Sequence, residues 1–294
     1  MRRRTFIVGA ISGVIGIGTG SYFYLNNENM GRAPVREGKI LFDGHNHPSS
    51  GESDEKTLEM LCSPGIAGLA HKNEERGKIL TYETVLKRFS DYVEEIDKGI
   101  FAKITTQYGT GYFTRTQEIS GGRLATGANN PHILAVGFEG EYLKNSVDAR
   151  KTVDEIHKRG GIAIMNHPYI TNGGMIYRTI NAEEERIARE LLEIVDEVEI
   201  FNATAINPTL GIGFENMKPA NEKAKRLIEG TRFKGIVSTD SHSGLEQPKK
   251  CGIYVDAHDI DTERLKFLIK SGKFDNDLNC YIIRWSLLKG VLGF

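Results

Sequence analysis

Cysteine is scarce. Three residues in a chain of 294, Cys62, Cys251 and Cys280, are too few to staple a fold of this size, and none sits in a C-x-x-C pair. They read as buried thiols. An excess of positive charge is missing too: 38 basic residues face 39 acidic ones, a net charge of −1. That balance excludes the broad basic footprint of a nucleic-acid binder, so an anionic ligand has to be held by a local site. Internal repeats and low-complexity segments are also lacking. What remains is an ordinary globular composition, 39% apolar and 26% charged, which supports a sizeable core and argues against disorder.

Charge is absent altogether between Thr5 and Leu25, just after Arg2, Arg3 and Arg4. About twenty apolar residues span a bilayer core, and arginines on the N-terminal flank hold that flank in the cytoplasm. The start, Arg3-Arg4-Thr5-Phe6-Ile7, also resembles a twin-arginine export signal. No small-x-small cleavage site follows and no cysteine is placed to carry a lipid. Residues 1–25 are therefore expected to be an uncleaved membrane anchor with the rest of the chain outside the cytoplasm; the alternative is a cleaved signal and a secreted protein. Residues 26–38 are polar and turn-rich and read as a linker, and residues 286–294 as an apolar tail.

From Lys39 onward short apolar runs alternate with helical stretches. The runs KILFD, IAGLAH, FAKITTQ, GYFTRTQEI, HILAVGF, IAIMNHP, VEIFN and KGIVSTDSH predict strands. Helical spacing marks DEKTLEML, TYETVLKRFSDYVEEIDKG, SVDARKTVDEIHKRG, EEERIARELLEIVD, NEKAKRLIEG and TERLKFLIKSGK. TNGGMIYRT, after His167, reads as a loop. So many strand–helix alternations in one domain, residues 39–285, predict a parallel sheet closed into a barrel.

Barrel enzymes carry their chemistry at the C-terminal ends of strands. Here apolar runs end in His45 and His47, in His71, in Glu118, in His167, and in Asp240 and His242, while His132 stands just before HILAVGF. An apolar run leading into an ionisable group is costly unless that group is paired or bound to a metal. In His45-Asn46-His47, residues i and i+2 of a strand point to one side, so both imidazoles can reach one ion. Carboxylates such as Glu118 and Asp240 can bridge two ions. A mixed histidine–carboxylate shell suits zinc, manganese or iron. Glu139 and Glu141 are less favoured rivals of Glu118. Arg123, Arg178 and Lys72 lie near the motif loops and are candidates for holding a phosphate. His157 and His258 read as structural, and Glu199 is left open between a supporting role and a strand cap.

Together these segments resemble the polymerase and histidinol phosphatase (PHP) family over Lys39 to Lys273. Asp43-Gly44-His45-Asn46-His47 is similar to its D-x-H-x-H, with Glu52 five residues on at a position often acidic or histidine. Leu69-Ala70-His71 stands at its T-D-H, having lost threonine and aspartate. Thr116 to Ser120 stands at G-x-E-x-S, and His132 to Gly137 at H-x-x-G. Asn166-His167-Pro168 resembles A-H-P, Glu199 to Asn202 an E-x-x-N strand, and Thr239-Asp240-Ser241-His242 resembles S-D-x-H. The resemblance implies a distorted seven-stranded TIM-like α/β barrel and a site of two or three metal ions. Its ligands would be His45, His47, Glu52, His71, Glu118, His132, His167, Asp240 and His242. It implies a hydrolase of small-molecule phosphate esters, with Asp240, His242 and Glu118 in the chemistry. The alternatives are an amidohydrolase-like enzyme cutting a C–N or C–O bond, and a non-catalytic, membrane-tethered domain.

Overall fold

The computed structural model describes residues 33–75, 77–121, 130–169, 171–172, 177–178, 182–203, 218–241 and 248–277. The anchor or signal expected at 1–25, most of the linker, the tail, Arg123 and His242 lie outside the described residues. No helix among the described residues is long and apolar enough to cross a membrane.

In chain order the strands are β1 (Lys39–Asn46), β2 (Ile66–Lys72), β3 (Val93–Asp97), β4 (Phe101–Thr106), β5 (Gly109–Ile119), β6 (His132–Val136) and β7 (Ile162–Asn166), then β8 (Thr171–Asn172), β9 (Tyr177–Arg178), β10 (Glu197–Asn202), β11 (Ile236–Ser238), β12 (Gly252–Asp256) and β13 (Asp275–Asp277). The helices are α1 (Asp54–Leu61), α2 (Tyr82–Arg88), α3 (Ala149–Lys158), α4 (Ala182–Leu191), α5 (Lys218–Leu227) and α6 (Thr262–Lys270). Four of them start at residues whose side chains accept an orphan amide of the first turn: Ser53, Thr81, Asp148 and Asp261.

The result is an α/β fold whose mixed sheet is bent into a nearly closed barrel. The sheet has eleven strands, not seven, in the order β11-β10-β7-β6-β5-β2-β1-β12-β13, with β4 beside β5 and β3 beside β4. Seven strands lie on the path from β11 to β1. The additional ones are antiparallel, β3 and β4 attached to β5, β12 and β13 attached to β1. Closure comes from the end of β1, where Asn46 bridges Ser241 just past β11. His47 N–H donates to Ser241 O at 2.8 Å, and Asp240 N–H donates to His45 O at 2.8 Å.

Three sequence expectations are corrected. The sheet is not all parallel: β6 runs antiparallel to both β5 and β7. The helix expected over TYETVLKRFSDYVEEIDKG stops at Arg88; the rest is a 3-10 turn and the strand β3, recruited by pairing with β4 through a turn at Gly99, φ 75°. TNGGMIYRT is not wholly loop, since β8 and β9 pair with each other.

Alternation along the strands separates two kinds of core. On β6, Leu134 and Val136 point into the barrel with Phe42, Ile66, Ile162, Ile164 and Ile236, and α6 closes this layer with Leu265 and Leu268. Ile133 and Ala135 point outward into the layer under α3, α4 and α5. His132 shares the inward face of Leu134 and Val136, so it sits above the apolar filling of the barrel.

Candidate metal centre

β1 leads into the site through a distortion. Its pairing with β2 runs Phe42↔Ile66 and Asp43↔Ala67, then jumps to Asn46↔Leu69. The extra residue re-aims the strand end, as bulges near functional sites do. The strands touch at Gly68, where a Cβ would lie 2.2 Å from Gly44 O. Asp43 anchors the turn: Thr239 N–H (3.1 Å) and Lys249 N–H (2.9 Å) donate to its carboxylate. Burial pushes its carboxyl up to about 6, against the pull of those hydrogen bonds.

Beyond the bulge His45 and His47 meet edge to face, ring centroids 5.1 Å apart. Each has one ring nitrogen tied down. His45 Nδ1 is 3.2 Å from Glu199 Oε1, and His47 Nδ1 is 2.8 Å from Ala70 O. A carboxylate and a carbonyl only accept, so both Nδ1 atoms carry a proton, and Nε2 is the atom each ring can offer as a lone-pair donor once deprotonated. These Nε2 atoms turn to the same place. His45 Nε2 is 3.2 Å from Asp240 Oδ1 and 3.8 Å from Glu118 Oε2; His47 Nε2 is 3.7 Å and 3.1 Å from the same two oxygens.

A second group shares the glutamate. Glu118 Oε1 is in close contact with His132 Nδ1 and lies 3.3 Å from His167 Nε2. The antiparallel run of β6 explains the presence of His132: the start of that strand pairs with the end of β7, His132 opposite Asn166, and so lies at the same barrel end as Glu118. Among the described residues three sets of side chains bring ligand atoms within 4.8 Å of one another: His45, His47 and Asp240; His45, His167 and Glu199; Glu118, His132 and His167. The second set uses Glu199, already engaged with His45, with Ser238 Oγ and with the amide of His167 (2.8 Å). Glu199 thus holds the ring of His45 and the backbone of His167 in place. The other two sets have Glu118 between them.

Two residues of these sets hold left-handed backbone, His167 at φ 25° and Asp240 at φ 50°. Such conformations cost about 1–3 kcal/mol and persist where the surroundings impose them. Here the amide of His167 is fixed by Glu199 and that of Asp240 by His45 O. Asp240 Oδ2 is further held by Asn202 Nδ2 at 2.9 Å, which leaves Oδ1 toward the histidines.

The electrostatics are those of a buried cluster. Burial opposes a charge on His45, but Asp240 and the hydrogen bonds of Glu118 and Glu199 outweigh it and hold its pKa well above the usual histidine range. The same balance, led by Glu118, raises His167. Burial favours protonation of Glu118, yet His132 and Lys72 hold its carboxyl well below the usual range. Donor chemistry fits a divalent ion: His167 Nδ1 is buried and makes no hydrogen bond, and His45 Nε2 faces the carboxylate oxygens of Asp240 and Glu118. An imidazole nitrogen buried without a donor is costly unless something cationic fills the place.

Of the residues expected as ligands, the fold gathers His45, His47, Glu118, His132, His167 and Asp240. Glu52 and His71 belong to none of the three sets. Glu52 is partly exposed, 3.6 Å from Lys56 Nζ, and its carbonyl accepts from Arg88. His71 shares the outward row of β2 with Ala67 and Leu69, and its ring stacks on Tyr142 at 4.1 Å. The inward row is Ile66, Gly68, Ala70 and Lys72, so the residue that β2 presents to the centre is Lys72, its Nζ 2.7 Å from Glu118 Oε2. Arg178 is placed only as β9 backbone, paired with Thr171. Glu139 and Glu141 are exposed, whereas Glu118 is buried. His157 pairs with Asp196 and His258 lies exposed beside Asp259.

A solved structure from Bacteroides vulgatus, described as a two-domain protein containing a predicted PHP-like metal-dependent phosphoesterase, is similar to this chain. Identity is 13% and the TM-score 0.49, over 83% of this chain and 66% of that one. The chain thus spans just under two thirds of that protein. No family model matches the chain, and no curated protein matches it.

Proposed function

We propose that the chain is a metal-dependent hydrolase of small-molecule phosphate esters, of the polymerase and histidinol phosphatase type. Two or three zinc, manganese or iron ions would be held by His45, His47, Glu118, His132, His167 and Asp240. The observation that carries this reading is the position of Glu118, with one carboxylate oxygen toward each set of donors. A carboxylate shared in this way suits a site of at least two ions. Divalent ions in such a site supply a water acidic enough to attack at neutral pH, and positive charge for the phosphoryl oxygens.

The chain's own residues contribute orientation and proton handling. Glu199 and Ala70 O fix the imidazoles of His45 and His47 with Nε2 inward. Asp240, held through Oδ2 by Asn202, keeps Oδ1 where it can accept a proton from a water in the centre. Lys72 is the cation placed to meet an anionic ester at the β2 side. His242, outside the described residues, is proposed as a further ligand and proton carrier on the strength of its motif.

The test is a screen of phosphate esters and amides with added manganese or zinc, on wild type and two variants. Glu118→Gln is expected to lose about a hundredfold or more of the phosphoesterase rate, because a neutral amide cannot bridge two cations. Glu139→Gln should stay within about twofold, as an exposed surface change. Equal losses, or turnover of amides alone, would overturn the proposal.

A further inference from the structure

Lys72 is a charged side chain in a place built for cations. It is largely buried, and its ammonium makes an ion pair at 2.7 Å with Glu118 Oε2. That same oxygen lies 3.1 Å from His47 Nε2, on the side of the carboxylate that faces His45, His47 and Asp240. The other oxygen, Oε1, faces His132 and His167. The ammonium therefore sits on the carboxylate oxygen that faces the His45–His47–Asp240 set. It is locked there by register, Lys72 opposite Glu118 in the parallel β2–β5 pair.

We infer that Lys72 is a resident cation that competes with the ion of the His45–His47–Asp240 set, so that the two sets fill at different metal concentrations. The inference rests on the metal reading of the site. The Glu118–His132–His167 set binds first and tightly. Filling the other set requires Glu118 Oε2 to exchange the ammonium for a divalent ion, with like charges brought close in a poorly solvated pocket. The ammonium released by that exchange is then free to turn to an anionic substrate. The metal-free protein, in turn, keeps Glu118 neutralised by Lys72 and is not left with an unpaired buried carboxylate.

Calorimetric titration of the full chain with manganese or zinc ions alone, in mild detergent and after chelator treatment, reads this directly. Wild type should bind in two classes at least tenfold apart in affinity. Lys72→Met removes the charge at similar length; Lys72→Gln removes it and keeps a donor for Glu118. In either variant the weaker class should tighten at least tenfold while the tight class moves less than about threefold, a coupling within the usual range for charged neighbours. Melting in chelator should show the Lys72→Met protein less stable than wild type and rescued more by metal. A single class of sites in wild type, or a weaker class unchanged or weakened in a folded variant, overturns the inference while leaving the metal centre standing. No ion uptake by wild type overturns both.

Discussion

At the scale of single residues the centre is organised by what each donor atom is denied. His45 and His47 have Nδ1 occupied by Glu199 and Ala70 O, so only Nε2 is left to face inward. These histidines were legible as candidate ligands because they end an apolar run with ionisable groups. Glu199 was legible from its E-x-x-N strand, but the sequence left it open between a supporting role and a strand cap. On β2 residue type draws attention to His71 as a ligand, but alternation turns His71 outward onto Tyr142 and Lys72 inward onto Glu118. The raised pKa values of His45 and His167 have a consequence for pH. A raised folded-state value stabilises the metal-free protein below the ordinary histidine range, and that contribution is lost as pH rises through the folded value. Metal needs the deprotonated rings and gains as the protons leave. The melting temperature gap between metal-loaded and chelator-treated protein is therefore expected to widen as pH rises through the ordinary histidine range and on toward the raised folded-state values. Melts at several pH values check it; a constant or narrowing gap would contradict the assignment of these histidines as ligands.

At the scale of elements, the lesson is direction. Alternating strands and helices suggest a parallel sheet, and most of the barrel path obeys, but β6 is antiparallel to both neighbours. That reversal is what makes a residue at a strand's start, His132, a partner of residues at strands' ends. β12 escaped the sequence reading although it pairs with β1, because GIYVD is a short run following a segment with no helical or strand period. β3 escaped for a different reason: VEEID is compatible with the helix before it, and only the exposed edge of β4 makes it a strand. The close approach of β1 and β2 gives a sharp test. Gly68→Ala places a methyl group 2.2 Å from Gly44 O, a backbone atom in a strand pinned on both sides. Overpacking of this kind costs about 3 kcal/mol. For a domain of this size that is roughly 6–12 °C in melting temperature. A variant melting within about 2 °C of wild type would mean the strands part more easily than this contact implies.

At the scale of the whole molecule, near-zero net charge supplies no overall field for an anion, so under the proposed function its capture falls to the centre itself. The barrel axis divides the labour: apolar side chains of β6, β7 and α6 fill the lower interior, and the polar ends of β1, β5, β7 and the segment after β11 form the upper face. The placement of this barrel in the cell is a separate proposal, resting on Arg2 to Arg4 and the uncharged run Thr5–Leu25. Burying an arginine at mid-bilayer costs about 3 kcal/mol on insertion scales, so the arginines should stay on the cytoplasmic side and the barrel outside. Protease added to intact spheroplasts should then digest the barrel domain. Protection of the full chain in the soluble cytoplasmic fraction would refute the anchor, and a secreted form starting near Asn26 would show a cleaved signal.

Among the described residues two backbone hydrogen bonds join the end of β1 to the segment after β11, and both involve residues of the candidate centre: His47 N–H to Ser241 O and Asp240 N–H to His45 O. The barrel's seam and its ligand cage are thus one structure. If the centre holds an ion as proposed, breathing of the ring and escape of that ion become a single opening event, and the amides of His47 and Asp240 become its clock. Hydrogen exchange at these two positions should slow with metal by the same factor, set by free ion concentration over dissociation constant, while amides of α1 keep their pace.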